Sequence, residues 1–418
     1  MARINIGIVG CGRILNAHLK GYKTLRDAGF DNFRITALCS RDRDNALRFR
    51  KRGEGPPPFT PLGRGEGDPL ACEPMYVSDV NDDVAVSVYT DYREMLDRGD
   101  IHVVDVCAAL PAHHEIALLA LKAGKHVVVE KPIALTVRMA RTMTGAAEDM
   151  GLVLCVAESA RYGMALRAQK WAVDAGLIGD LQMVLMGGVG MGRWSPDRVL
   201  ANTPWRHDKI QGGAGVSIDL GVHMFNRAEY VAGLIDSLSA VTAVFEPKRK
   251  LYDDDGEQSV GEIACTVDDA FMAVGRFANG AIGQFSYTSA GHGPGYQVPG
   301  GMIVYGSKGC MREGRMIMDD GTSHNIQDRF KAEAPETLVR KYFPRGVEYP
   351  FALEKLDFLQ AIEENRDPEM HGLQGLRDLA VAYTVLESAA AGRMVRVQEV
   401  ESGEVEKYQR EINEHYGF

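Results

Sequence analysis

RINIGIVGCGRIL, residues 3–15, joins a short apolar strand to a glycine-rich turn and the start of a helix predicted over residues 16–28. Gly10 would allow the tight turn, Gly12 would let the backbone approach a pyrophosphate, and the helix N-terminus would attract the phosphate charge. Leu15 stands where the usual dinucleotide-binding fingerprint has its third glycine, so the match is partial. The stretch predicts the first strand-helix turn of a dinucleotide-binding domain.

The segments that follow alternate between apolar runs of strand length and helix-like stretches as far as Ala157. This alternation is typical of a doubly wound parallel sheet, whereas the later alternating and glycine-rich stretches indicate antiparallel strands. We therefore expect an α/β protein with a Rossmann domain over residues 1–151 and an α/β domain with a large, mostly antiparallel open sheet over residues 152–418. Helices within 351–392 are expected to pack back onto the body of the molecule. Strands are predicted over 3–9, 33–39, 84–88, 102–108, 125–129, 152–157, 182–189, 270–277 and 281–288.

One segment, residues 52–74, interrupts the alternation. It is rich in glycine, proline and charged residues, a composition that regular helices and strands do not tolerate. We expect an inserted loop, which is either a plain surface extension, a flap near the adenosine side of a dinucleotide, or an arm that reaches a neighbouring subunit. The acidic residues 253–257 are expected to form a solvated turn.

Composition places the chain among ordinary globular proteins, with 45% hydrophobic and 25% charged residues. The net charge of −10 argues against a nucleic-acid partner, and no apolar run reaches the roughly 18 residues of a membrane span. No signal peptide is expected before the first strand. The seven cysteines lack Cys-x-x-Cys spacing and mostly lie in apolar runs, so we expect reduced thiols in a cytoplasmic protein.

Three side chains carry the candidate chemistry. Lys131 follows an apolar run at the end of a predicted strand, and Asp219 and His223 are four residues apart, so they can share one face of a helix. Each alone has a simpler interpretation: Lys131 as a solvated charge, Asp219 as a helix cap after Gly215, and His223 as a structural histidine. Together, and downstream of a Gly-x-Gly strand, they indicate a proton-handling set.

These motifs resemble those of the Gfo/Idh/MocA oxidoreductases, the family of glucose-fructose oxidoreductase and inositol dehydrogenase. The resemblance covers nearly the whole chain and rests on GCGRI, PAHHE, AGKHVVVEKP, GLIG, DLGVH and SAAAGR, which occupy 10–14, 111–115, 123–132, 176–179, 219–223 and 388–393. It implies a Rossmann domain followed by an α/β domain with an open antiparallel sheet, and a homodimer or homotetramer formed through that sheet.

The resemblance also implies a role for each member of the candidate set. Lys131 would lie beside the nicotinamide and stabilise negative charge on the reacting oxygen, with Pro132 helping to fix it through an unusual peptide geometry. His223 would be the general base that takes the hydroxyl proton, a role suited to an imidazole. Asp219 would hydrogen-bond or orient the substrate or the imidazole.

The expected cofactor is NAD or NADP. Ser40 and Arg41, at the end of the second strand, could hold a 2′-phosphate, whereas Asp42 could accept the ribose hydroxyls of NAD. We favour NADP. We expect no metal, because His113 and His114 lack further ligands at metal spacing. The expected cofactor-binding residues are Gly10, Gly12, Arg13, Ile14, Ser40, Arg41, Pro111, His114, Glu130, Lys131 and Pro132.

The expected substrate is a sugar, a sugar derivative or a cyclitol that is oxidised at a secondary alcohol. Aromatic and hydrogen-bonding side chains suit such a ring, although Arg161 or Arg206 could instead pair with a carboxylate. The resemblance leaves two alternatives, a redox-assisted glycosidase and a non-catalytic dinucleotide sensor. The expected substrate-binding residues are Arg161, Tyr162, Trp205, Arg206, Asp219 and His223, with Asn202, His207 and Asp208 also on the candidate pocket wall.

Overall fold

The computed structural model describes residues 3–59, 61, 69–190, 196–253 and 258–418, which form two compact units. Unit 1 comprises Met1–Ala134, Met139–Tyr162 and Arg340–Gly375, and unit 2 comprises Leu135–Arg138, Gly163–Val339 and Leu376–Phe418. The chain thus returns to unit 1 late in the sequence. The predicted boundary near residue 151 lies inside unit 1, and the first of the C-terminal helices belongs to unit 1.

Unit 1 is built on one parallel sheet. Its strands are β1 (Ile4–Val9), β2 (Phe33–Cys39), β3 (Ser87–Tyr89), β4 (Val103–Val106), β5 (His126–Glu130) and β6 (Leu154–Ala157). They lie in the order β3-β2-β1-β4-β5-β6, and every pair is parallel. The order reverses between β1 and β4, the place where open α/β sheets bind ligands.

Unit 2 contains a larger, mixed sheet. Its order is β17-β16-β15-β14-β7-β12-β11-β8-β18, with β13 also beside β7, while β9 and β10 form a separate hairpin. The strands are β7 (Leu181–Val189), β8 (Ile235–Ala243), β9 (Lys248–Tyr252), β10 (Ser259–Ala264), β11 (Ala270–Phe277), β12 (Ile282–Thr288), β13 (Tyr296–Gln297), β14 (Ile303–Gly306), β15 (Gly309–Arg312), β16 (Arg315–Met318), β17 (Ser323–Asn325) and β18 (Val395–Arg396).

The helices of the described residues differ widely in length. They are α1 (Leu15–Asp27), α2 (Arg43–Arg50), α3 (Val77–Val80), α4 (Tyr92–Leu96), α5 (His113–Lys122), α6 (Val137–Asp149), α7 (Met164–Asp174), α8 (Lys209–Gly212), α9 (Val216–Asp219), α10 (Gly221–Ala232), α11 (Ile326–Glu333), α12 (Glu336–Tyr342), α13 (Pro350–Glu364), α14 (Gly372–Ala391), α15 (Val397–Ser402) and α16 (Arg410–Tyr416). None of these described helices is long and apolar enough to cross a membrane.

The predicted α/β architecture is confirmed, with local corrections. The bounds of β2 and β11 are as predicted, but β3 covers Ser87–Tyr89 instead of 84–88, because the chain bends before it extends. β7 pairs in parallel with β12, so the second sheet is mostly, not wholly, antiparallel. In the predicted insertion, Pro69–Ala71 forms a short 3-10 helix, while residues 60 and 62–68, like the acidic residues 254–257, lie outside the described residues.

Candidate active site

The glycine turn after β1 has the shape that a dinucleotide requires. Gly10 adopts φ +104°, and a Cβ there would lie 2.4 Å from the backbone of Cys107 and Ala108, so only glycine fits. A Cβ on Gly12 would meet nothing within 4 Å, which leaves room for a ligand. The N-cap residue of α1 is Ile14, whose apolar side chain cannot cap the first N–H groups of the helix. The start of α1 therefore suits an anion.

The end of β2 presents the residues expected to select the cofactor. Ser40 donates its backbone N–H to the carbonyl of Tyr89 at 3.1 Å, and the side chain of Arg41 is exposed. Asp42 is the N-cap of α2, where its carboxylate accepts the N–H of Asp44 at 3.0 Å. The carboxylate of Asp42 is therefore engaged by the helix.

The ends of β4 and β5 are tied together by a buried histidine. His113 Nδ1 lies 2.9 Å from the carbonyl oxygen of Pro132, and its Nε2 lies 3.0 Å from that of Ala108. Burial lowers the pKa of His113. The Lys131–Pro132 peptide bond is cis. His113 thus holds the segment that directly follows Lys131.

His114 is also buried, and Pro111 is the middle residue of the short 3-10 helix Leu110–Ala112, which follows β4. Burial lowers the pKa of His114. Arg13 places its guanidinium 5.1 Å from the ring centre of Phe59. Arg13 thus follows Gly12 in the glycine turn, and Pro111 and His114 follow the end of β4.

Lys131 is half-buried at the end of β5. Its backbone N–H donates to Glu130 Oε2 at 3.1 Å, and Glu130 Oε1 lies 2.7 Å from His18 Nε2. Glu130 therefore fixes the backbone on one side of Lys131, and His113 fixes it on the other.

One group of described residues, His18, Asp105 and Cys107, has ligand atoms close enough together for a metal ion. However, Lys355 Nζ lies 3.1 Å from Asp105 Oδ2, so an ammonium already supplies positive charge there. Burial raises the pKa of Cys107 to about 11, which keeps the thiol protonated at neutral pH. The group suits an ion network better than a metal.

In unit 2, Asp219 is the last residue of α9, and His223 lies in the first turn of α10, with Leu220 between the two helices. That the two side chains share one face stays a prediction. Both side chains are half-buried. The backbone N–H groups at the start of α9 are capped by Asp268 and not by Asp219. Asp268 accepts the N–H of Gly215 at 2.8 Å and that of Ser217 at 2.9 Å.

The backbone at Gly215 explains why α9 starts where it does. A Cβ on Gly215 would lie 1.7 Å from the carbonyl oxygen of Asp268, so a larger residue would displace the loop that carries Asp268. Burial raises the pKa of Asp268, although the two N–H donors favour its charged form. A buried carboxyl two residues before β11 therefore positions the helix that carries Asp219.

Arg206 lies beside Asp219, with Nε 3.5 Å from Asp219 Oδ2. Its guanidinium lies 4.2 Å from the ring centre of Trp205 and donates to Thr203 Oγ1 at 2.9 Å. Three contacts thus orient the guanidinium, and its charge is largely matched by Asp219. A cavity of about 30 Å³ adjoins this pair and is lined by Arg206, His207, Asp219, Arg249, Asp268 and Asp269, among others.

Three residues of the candidate pocket wall have structural contacts. His207 Nε2 accepts the N–H of Leu200 at 2.9 Å, and burial lowers the pKa of His207 to about 4. Asn202 bonds to the backbone of Tyr252, and Asp208 caps α8. His207 is therefore neutral near pH 7 and already engaged.

Arg161 and Tyr162, two members of the expected substrate set, have contacts within unit 1. Both lie in unit 1, where Arg161 Nε donates to Glu369 Oε1 at 3.1 Å and the Tyr162 hydroxyl donates to Asp357 Oδ2 at 2.9 Å. Tyr162 is buried, which raises its pKa well above the ordinary value. Their aromatic and hydrogen-bonding side chains suggested a place on the pocket wall, and in the structure these groups contact Glu369 and Asp357.

Sequence reasoning did not find Asp268, His18 or Lys355. For Lys355 the sequence did contain a signal, because this lysine closely follows the apolar residues Phe351 to Leu353 in α13. A buried charge needs a partner, so such a residue points to a specific contact.

The parallel sheet and the Gly10–Gly12 turn together define a dinucleotide-binding Rossmann protein. A family model described as "Oxidoreductase family, NAD-binding Rossmann fold" matches residues 72–158, and one described as "GFO/IDH/MocA C-terminal domain" matches residues 166–312. The chain belongs to the Gfo/Idh/MocA oxidoreductases, which confirms the resemblance, and it is a dehydrogenase with an NAD-binding Rossmann domain.

Individual relatives share this architecture. A levoglucosan dehydrogenase of Pseudarthrobacter phenanthrenivorans is 27% identical over 74% of this chain and 84% of its own length. A myo-inositol 2-dehydrogenase of Thermotoga maritima is 24% identical over 95% of this chain and 99% of its own. A solved levoglucosan dehydrogenase in complex with NADH and L-sorbose superposes with a TM-score of 0.73 at 23% identity, covering 95% of this chain and 99% of that one. At this identity the superposition establishes the fold.

Proposed function

We propose that the protein transfers a hydride between a nicotinamide dinucleotide and a secondary alcohol or ketone of an uncharged sugar, sugar derivative or cyclitol. The observation that carries the proposal is the strand end at Lys131, which Glu130 and His113 hold on either side at the cofactor edge of the parallel sheet. A lysine held by its backbone at this edge is placed to stabilise negative charge on a reacting oxygen.

The cofactor would supply the hydride acceptor or donor. Gly10, Gly12, Arg13 and Ile14 would hold its pyrophosphate, because the turn leaves space above Gly12 and the helix start lacks a side-chain cap. Pro111, His114, Glu130, Lys131 and Pro132 are proposed to line the nicotinamide end.

We further propose NADP as the preferred cofactor. Asp42 caps α2, so its carboxylate is engaged locally, while the side chain of Arg41 is exposed beside Ser40. An exposed guanidinium next to a hydroxyl suits a 2′-phosphate better than a ribose diol.

In this mechanism Lys131 stabilises negative charge on the substrate oxygen, and His223 takes the hydroxyl proton during oxidation. Asp219, which Arg206 neutralises, would orient the substrate or the imidazole. The assignment of the two unit 2 residues rests on the family resemblance and on their half-buried positions.

An uncharged substrate is favoured because the charge of Arg206 is matched by Asp219 and its guanidinium is stacked on Trp205. The half-buried indole of Trp205 is a side chain of the kind that packs against the C–H face of a sugar ring. Relatives named levoglucosan dehydrogenase, 1,5-anhydro-D-fructose reductase and myo-inositol 2-dehydrogenase have names that fit such substrates. Arg161 is paired with Glu369, which argues against a carboxylate-binding role for it.

We propose a homo-oligomer formed through the open face of the unit 2 sheet. Val241, Met272 and Val274 are 67%, 67% and 56% exposed on adjacent strands, and Met272 pairs directly with Val241. A contiguous apolar face of this kind indicates an interface with a second copy. The free cysteines of the described chain are consistent with the cytoplasmic location that we propose.

The test has two stages. Titration with NAD(H) and NADP(H) measures cofactor affinity, and a panel of sugars and cyclitols monitored at the NAD(P)H absorbance band then measures turnover. Turnover of an uncharged polyol with net reduction of cofactor supports the proposal. Release of an aglycone without net reduction would identify the glycosidase, and dinucleotide binding without any turnover would identify a sensor.

A further inference from the structure

Unit 1 encloses four charged side chains, contributed by four different elements, that the proposed chemistry does not use directly. His18 comes from α1, Asp105 from β4, Glu130 from the end of β5 and Lys355 from α13. The side chains of His18, Asp105 and Lys355 are fully buried, and that of Glu130 is 12% exposed. We call these four residues the buried ion network.

The contacts of the buried ion network run in sequence from α13 to the backbone of Lys131. Lys355 Nζ lies 3.1 Å from Asp105 Oδ2, which lies 3.7 Å from His18 Nδ1. His18 Nε2 lies 2.7 Å from Glu130 Oε1. Glu130 Oε2 accepts the backbone N–H of Lys131 at 3.1 Å. Asp105 and His18 therefore each contact two other members, and Glu130 joins His18 to the backbone of Lys131.

Positive and negative charges alternate along this path. Burial opposes every charge, yet the Lys355 ammonium lowers the pKa of Asp105 and the His18 hydrogen bond lowers that of Glu130. Burial opposes the charges of His18 and Lys355, but neighbouring acidic groups raise the pKa of both, Cys107 and Asp105 for His18 and Asp105 and Glu354 for Lys355. Two cations thus face two anions. Burial raises the pKa of the neighbouring Glu354 to about 8, so it is mainly neutral at pH 7.

Neighbouring neutral groups complete the surroundings of Asp105. The Tyr22 hydroxyl donates to Asp105 Oδ2 at 2.8 Å, and Cys107 Sγ lies 3.5 Å from Asp105 Oδ1. Burial raises the pKa of both Tyr22 and Cys107, which keeps them protonated near neutrality. Asp105 is therefore the junction of the network.

Stability alone does not account for such an arrangement. Removing each ion from water costs several kcal/mol, and replacement of a buried ion pair by apolar side chains of similar volume is often neutral or stabilising. An apolar core would not supply a directional hold on Glu130, and Glu130 bonds to the backbone of Lys131. We propose that Lys355 is a positioning residue that acts through the buried ion network on Lys131. This inference rests on the proposed function, because it takes Lys131 as catalytic.

The test compares a single and a charge-balanced double variant. Lys355→Met leaves the two buried carboxylates of Asp105 and Glu130 with one cation, His18, so both thermal stability and turnover should fall. Lys355→Met/Asp105→Asn removes both charges, and the amide oxygen can still accept from Tyr22. We expect the double variant to regain most of the thermal stability while kcat stays about tenfold or more below that of the parent, with dinucleotide Kd changed less than about threefold.

A matched control breaks a buried pair that does not contact the network. Arg377→Met removes the partner of Glu229 in unit 2, where the two side chains are 2.9 Å apart. In the double variant Arg377→Met/Glu229→Gln, both thermal stability and kcat should return towards the values of the parent protein. If the Lys355→Met/Asp105→Asn variant behaves in the same way, the network is only structural and the inference is overturned.

Failure of the inference and failure of the proposed function give different results. Near-normal turnover in Lys131→Ala would overturn the assignment of Lys131, and with it the basis of the inference. An inactive Lys131→Ala protein beside a fully active double variant overturns the inference alone. The double variant decides the question by itself where Lys355→Met does not fold.

Discussion

At the residue scale, Lys131 is positioned by its backbone. Glu130 and His113 hold the peptide groups on either side, so truncation of the side chain leaves those contacts in place. Lys131→Ala should lower kcat by about 10² or more, because it removes charge stabilisation that is larger in the transition state, while dinucleotide Kd changes little. Steady-state kinetics and a binding titration measure both quantities. Lys122→Ala, at an exposed position of α5, is the matched control and should leave kcat unchanged.

His223 is the second residue on which the mechanism depends. His223→Ala should lower kcat for alcohol oxidation by about 10² to 10⁴, and the remaining rate should rise with pH as hydroxide replaces the base. Its effect and that of Lys131→Ala should combine less than additively. The exposed His324→Ala is the control. Turnover near normal would exclude His223 as the base. His207 would be a poor replacement, because it is buried, neutral and already bonded.

Glu354 gives a prediction for stability. Burial raises its pKa from 4.5 to about 8, so the native state holds a proton that the unfolded chain releases at lower pH. The stability that this group contributes is complete below pH 4.5 and is lost as pH rises through about 8. Glu354→Gln should therefore weaken the fall in urea midpoint between pH 5 and pH 8.5. Glu364→Gln, at an exposed position of the same helix, should keep the full fall in urea midpoint. Equal pH dependence in both variants would contradict the raised pKa of Glu354.

At the scale of elements, the junction between β2 and α2 should set cofactor choice. Arg41→Ala should weaken NADP(H) binding about 10-fold to 100-fold, since a charge-assisted hydrogen bond is lost, and should leave NAD(H) affinity unchanged. Arg43→Ala, also exposed and two residues later, is the control for loss of a positive charge. Equal losses for the two cofactors, or no loss, would show that Arg41 does not bind the phosphate.

At the scale of the whole molecule, the open face of the unit 2 sheet should determine the oligomeric state. Light scattering should give the parent protein a multiple of 45.8 kDa. Met272→Asp/Val274→Asp places two charges on the apolar face and should shift the mass to that of a monomer. Val260→Asp changes an equally exposed valine on the separate β9–β10 hairpin and should not. A parent protein of 45.8 kDa would exclude the proposed interface.

The local elements could be predicted from sequence because short-range patterns encode them. Continuous apolar runs specified the buried strands of the parallel sheet, and the Gly10–Gly12 turn specified the dinucleotide site. The family motifs are the source of the proposed roles of Lys131, Asp219 and His223. Hydrophobic periodicity and glycine conformation act over a few residues, so the sequence by itself contained them.

Tertiary structure alone decided which distant residues meet. The sequence did not show that α13 returns to unit 1 and brings Lys355 to Asp105, or that Arg161 and Tyr162 pack within unit 1. The parallel pairing of β7 with β12 likewise depends on the path of the chain between them. A buried charge or a strand edge requires a partner. Which residue becomes that partner depends on how segments tens to hundreds of residues apart pack together, and local periodicity carries no information about that packing.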